Sequence, residues 1–135
     1  MKFHSDVAGF VTGVRFYKGA GNTGTHVANL WSSSGALLAT ATFSSETASG
    51  WQQVSFASPV AVAAGTTYVV SYHTGTGHYG QDINYFASGV DNSPLHAPST
   101  GSAGGNDVYS YGSGSSFPNN TWQASNYWVD VVFHP

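Results

Sequence analysis

Phe10-Val-Thr-Gly-Val-Arg-Phe-Tyr17 sets the frame for the whole chain. Its large side chains are β-branched or aromatic and recur with a period of two, which suits a pleated strand and draws no helical stripe. The same texture returns at His26–Trp31, Leu37–Phe43, Trp51–Phe56, Thr67–His73, Tyr79–Phe86, Val108–Tyr111 and Tyr127–Phe133, each read as a strand. Between them lie runs such as Gly19-Ala-Gly-Asn-Thr-Gly24, Ser32-Ser-Ser-Gly35 and Gly75-Thr-Gly77, rich in residues that tolerate turn geometry. Short strands with frequent turns predict an all-β fold, an antiparallel β-sandwich of jelly-roll-like form. Residues 1–135 are expected to form one such module, excised from a larger protein.

Alternation assigns faces. Phe10, Thr12, Val14 and Phe16 are expected inside, with Val11, Gly13, Arg15 and Tyr17 outside. Ala28 and Leu30 face in while Val27, Asn29 and Trp31 face out; Tyr127, Val129, Val131 and Phe133 face in while Trp128, Asp130 and Val132 face out. Leu95–Asn126 is a long Gly/Ser/Asn/Pro connection, and long ordered loops more often carry function than idle.

Composition excludes several classes of function. Three Lys plus Arg against six Asp plus Glu, with only 7% charged residues, leave no basic surface for nucleic acid. No apolar run approaches the roughly 20 residues of a membrane helix. The chain has no cysteine, which removes disulfides and thiolate chemistry together. Scarce Lys and Glu beside abundant Ser, Thr, Asn, Gly and Tyr suggest a secreted or cell-surface setting.

Val14-Arg-Phe-Tyr-Lys-Gly-Ala-Gly-Asn-Thr-Gly-Thr-His26, Gly50-Trp-Gln-Gln-Val54, Ala64-Gly-Thr-Thr-Tyr68 and Tyr127-Trp-Val-Asp-Val-Val-Phe133 together resemble a bacterial family of unknown function, the one numbered 4082. The resemblance covers nearly the whole chain. It implies a β-sandwich found in large secreted multidomain proteins beside immunoglobulin-like, adhesion and carbohydrate-related modules, and it brings no catalytic residues.

Motifs that carry chemistry are sparse. Gly19 to Gly24 spells a dinucleotide-binding pattern, but the chemistry needs a helix next and Thr25–Trp31 reads as strand. Glycoside hydrolysis needs paired carboxylates, and nothing in the spacing of Glu46, Asp82, Asp91, Asp107 and Asp130 selects a pair. His73, His78 and His96 show no strand spacing that would place two metal ligands on one face. Calcium is the more plausible cation, with Asp6, Asp91, Asn92, Asn106 and Asp107 as oxygen donors in loops.

The aromatic residues are more informative. Trp31, Trp51, Trp122 and Trp128, with Tyr17, Tyr79, Tyr85, Tyr109 and Tyr111, exceed what the inner rows require. Sugar rings lay their C–H faces on such rings while amides and charged groups take the hydroxyls. The expectation is a non-catalytic carbohydrate-binding module that tethers a secreted protein to a polysaccharide or oligosaccharide. Expected ligand contacts are Arg15, Trp31 and Asp130 on the sheet and His78, Tyr79, His96, Asn106, Asp107 and Trp122 on the loops. The alternatives are a structural or adhesive spacer that contacts neighbouring domains of its parent protein, and a polysaccharide-degrading enzyme.

Overall fold

The computed structural model describes Met1–Pro135. Eleven strands form: β1 (Lys2–Ser5), β2 (Gly9–Lys18), β3 (His26–Ser32), β4 (Leu37–Thr42), β5 (Gly50–Val62), β6 (Tyr68–Thr74), β7 (Val90–Asn92), β8 (Leu95–Ala97), β9 (Val108–Tyr109), β10 (Asn120–Thr121) and β11 (Val129–His134). One four-residue helix, Thr100–Ala103, and a 3-10 turn at Tyr85–Ala87 interrupt them. A six-stranded sheet in the order β4-β3-β6-β1-β8-β7 packs on a three-stranded sheet, β11-β2-β5, and β9-β10 is a small separate ladder. All pairings are antiparallel. The fold is an all-β sandwich.

The core lies between the two sheets. Val11, Val14 and Phe16 of β2 meet Ala28 and Leu30 of β3, Val70 of β6 and Val129 of β11. Phe16 stacks on Tyr72 at 4.3 Å between ring centroids and takes Phe43 edge-on at 4.8 Å.

One phase expectation is overturned. Phe10 is exposed and Val11 fully buried, although Val14 and Phe16 face inward as alternation requires. The register slips between Val11 and Gly13 against β5, and between Val132 and Phe133 opposite them in β11, so Thr12 sits in a bulge that reverses the faces. Gly13 permits the close approach, because a Cβ there would stand 2.3 Å from the Val54 carbonyl oxygen.

Tyr79–Phe86 is not a strand. It runs irregularly into the 3-10 turn, with Asn84 left-handed at φ 62°, and is tied to the stretch before β11 by an isolated Asp82–Asn126 bridge and by backbone bonds from Asn84 to Gln123 and from Phe86 to Ala124. Gln81 and Asp82 spend their side chains on Ser125 and Trp128 instead of on a strand neighbour.

Candidate functional site

Outward positions of β2 and β5, with Trp128 just before β11 and Tyr85 of the 3-10 turn, carry a continuous run of rings. Tyr17 lies opposite Trp51 across β2 and β5, with centroids 5.8 Å apart. Trp51 meets Trp128 at 6.3 Å, and Trp128 meets Tyr85 at 5.2 Å. All these contacts are edge-to-face, the favoured geometry for aromatic pairs. Tyr17 and Trp51 remain 44% and 46% exposed. Trp128 is pinned by its indole N–H, which donates to Asp82 Oδ2 at 2.8 Å.

Charge is set into this run. Arg15 and Asp130 are register partners across β2 and β11, and the guanidinium donates to Asp130 Oδ2 at 3.1 and 3.3 Å. The Arg15 guanidinium carbon also stands 5.1 Å from the Trp51 centroid, over the ring, in a cation–π contact. Both members stay open to solvent, with 49% and 39% of the side chains exposed. A groove of about 250 Å3 starts at Arg15, Asp130, Trp128 and Tyr85 and runs to His96 and Asn92. Thus Arg15, Asp130 and His96, expected in separate sheet and loop sets, line one groove.

His96 is clamped at the far end of the groove. Its Nδ1 bonds Asp91 at 2.6 Å and its Nε2 bonds Asp6 at 2.8 Å. The hydrogen bond that Asp91 accepts from the ring, then the one that Asp6 accepts, raises the imidazole pKa above its usual value. This arrangement spends two of the calcium candidates on one imidazole. Asp107 lies elsewhere and is buried, and no group of three or more His, Cys, Asp or Glu side chains is placed to hold a metal.

The remaining expected contacts scatter. Trp31 is a correction: it faces outward from β3 but is only 6% exposed, because Phe117 packs edge-on over it at 5.8 Å and Ser71 Oγ accepts its N–H at 2.9 Å. Asn106 is fully buried, where Oδ1 accepts the Lys2 N–H and Nδ2 donates to the Pro98 carbonyl. It holds the long connection to β1 and presents nothing to solvent. Asp107 is buried with both carboxylate oxygens unpartnered. His78 is exposed against Gly21, and Trp122 stands alone at 54% exposure.

Tyr79 belongs to a second concavity, of about 310 Å3, walled by Tyr72, Tyr79, Tyr109, Tyr111 and Tyr127 with His73. Tyr79 stacks edge-on with Tyr127 at 5.5 Å. Burial lifts the Tyr127 phenol to about 12, and the hydrogen bond that the Tyr79 hydroxyl donates to Tyr111 raises Tyr79. These phenols stay protonated and act as hydrogen-bonding groups.

A polar knot escaped the sequence reading. His26, with no exposure, bonds Glu46 at 2.8 Å on one nitrogen and Asn22 Oδ1 at 2.9 Å on the other, and Lys18 Nζ lies 3.4 Å from the same Glu46. The signal was present: Lys18 continues the inward row of Val14 and Phe16, so an inward lysine required an acid, and the chain has one glutamate. The ring run had a signal too, since Tyr17 shares the outward row of Arg15 and the strand beginning Gly50-Trp51 lies alongside.

No curated protein and no solved structure matches the chain. The family model described as "Domain of unknown function (DUF4082)" matches residues 1–129 of 135. With the sandwich it leads us to expect and a match over nearly its full length, the chain belongs to the DUF4082 family.

Proposed function

We propose that this domain is a non-catalytic carbohydrate-binding module, which tethers a secreted bacterial protein to a glycan through the outer face of the three-stranded sheet. The observation that carries this reading is the run Tyr17–Trp51–Trp128–Tyr85, with Tyr17, Trp51 and Tyr85 exposed around a half-buried Trp128 and the Arg15–Asp130 pair set into it. Exposed rings offer faces and edges to sugar C–H groups, while a fixed guanidinium and carboxylate supply donors and acceptors for paired hydroxyls. The edge-to-face ring contacts form a ridged wall, which fits a chain of sugar units better than one flat ring. Asp130 is the only carboxylate lining the groove, and it is tied to Arg15, whereas glycoside hydrolysis uses two.

Affinity-gel electrophoresis across plant, algal, fungal and animal polysaccharides tests the proposal. Retarded migration on at least one glycan is expected, with monosaccharides competing weakly because they cover little area. Trp51→Ala and Arg15→Ala should each restore free migration. Unretarded migration on every glycan overturns the reading.

A further inference from the structure

The surface charge of the chain gathers in one place. Of its six acidic side chains, Glu46 is closed in by Lys18 and His26, and Asp107 is buried. The other four, Asp6, Asp82, Asp91 and Asp130, all border the groove beside the ring run. Asp130 lines it. Asp82 bonds the Trp128 indole, while Asp91 and Asp6 bond the two nitrogens of His96, and both of those rings are groove walls. Positive charge does not match them. Lys18 is buried and the Lys2 ammonium bonds the Ala103 carbonyl, so Arg15 alone of the Lys and Arg residues reaches the groove, where Asp130 cancels it. A protonated His96 offsets one more carboxylate, which still leaves this side of the sandwich negative.

Each of these carboxylates is tied by one oxygen and open at the other. Asp130 takes both Arg15 bonds on Oδ2, Asp82 takes the indole N–H on Oδ2, Asp91 uses Oδ1 and Asp6 uses Oδ2. The tied oxygen fixes the carboxylate, so the open one is a pre-set acceptor for a charged donor. The rings give a second means of holding a cation. Arg15 already stands over Trp51, and Trp128 and Tyr85 line the groove with no cation against them. Between the rings and His96, Val90, Leu95 and Val131 make the groove apolar, which suits the C–H face of a sugar.

We propose, resting on the carbohydrate reading above, that the glycan this groove takes carries free amino groups, as a chain of N-unsubstituted hexosamine units, and that chains bearing uronate or sulfate are refused. A hexosamine unit lays its C–H face on Trp128 or Tyr85 and turns its ammonium to the open oxygen of Asp82 or Asp130, a charge-assisted bond. N-acetylation removes that charge and keeps the sugar backbone. A uronate meets the same oxygens as a like charge, and like charges set against each other reject a wrong partner.

Calorimetric titration of the full chain tests this at about pH 6, below the range of ordinary amines. The probes are a glucosamine tetramer, its fully N-acetylated twin, a galacturonate tetramer and tetralysine. Exposed charge contacts are individually weak, so several together should make the glucosamine tetramer bind about tenfold tighter than its twin at low salt. That advantage should fade at about 1 M salt, where charges are screened within about 3 Å. The galacturonate tetramer should not bind. Asp82→Asn, which keeps an acceptor for the Trp128 indole, should narrow the preference about threefold. Equal or tighter binding of the N-acetylated or galacturonate tetramer overturns the proposal and leaves the carbohydrate reading standing. Tetralysine binding as tightly as the amino sugar also overturns it, because charge alone would then suffice. No binding of the glucosamine tetramer overturns it too, and the carbohydrate reading falls with it only where the gels also show no glycan retarding the domain.

Discussion

The two outer faces of the sandwich begin with the same material and end differently. Trp31 on β3 and Trp51 on β5 both point away from the core. Trp31 is sealed beneath Phe117 and Val108 of the long connection, with Ser115 bonding the neighbouring Asn29 at 2.9 Å. Trp51 packs against Tyr17, Trp128 and Arg15 and stays 46% exposed. Strand periodicity fixes which way a side chain points, whereas a segment distant in sequence decides whether it meets water. An indole under cover works for the fold; a bare one is available to a ligand.

The sharpest way to break this contrast is to remove each indole. Trp31→Ala should cost about 3–5 kcal/mol in a denaturant melt, the range for truncating a buried aromatic. Trp51→Ala should cost under about 1 kcal/mol and show its effect in glycan retention instead. Equal costs would erase the distinction between the faces.

Ion pairs extend the comparison. Glu46→Gln leaves the buried Lys18 ammonium without its carboxylate and should destabilise the chain by about 3–5 kcal/mol, measured by the same melt. Asp130→Asn on the bare face should cost only about 0.2–1 kcal/mol while weakening glycan retention. A large loss from Asp130→Asn would mean that the open pair is structural.

The smallest effect is the pH response at the groove's end. His96 should titrate by NMR above the usual value of about 6.5, and Asp91→Asn should bring its midpoint down. Because the folded pKa is the raised one, the clamp's stabilisation is complete below about pH 6.5 and is lost as pH climbs through the folded value. A midpoint at or below the ordinary one would show that the two carboxylates do not act on the ring.

How much of this was legible in the sequence follows from the range of the forces involved. Period two located β2 to β6 and β11, and opposite charges on outward rows matched the Arg15–Asp130 pairing. The inside-out N-terminal end of β2 was not legible, because a bulge depends on a slip in its partners as well as on Gly13. Strands β1, β7 and β8 were missed, being three or four residues long and paired chiefly with one another and with β6. The ring run was half legible: the surplus aromatics were countable, but choosing Trp51 over Trp31 required knowing where Phe117 lies.

The scarcity of basic residues has a practical consequence. Lys2, Arg15 and Lys18 are the only sites at which trypsin can cut; all three lie in strands, and Lys18 is buried. A protease needs an extended, unpaired segment, so cleavage after Arg15 or Lys18 requires β2 to leave the middle of its sheet. Digestion at those two bonds therefore reports β2 leaving its sheet, and at low protease, where reclosing outpaces cleavage, its rate follows the population of the opened chain.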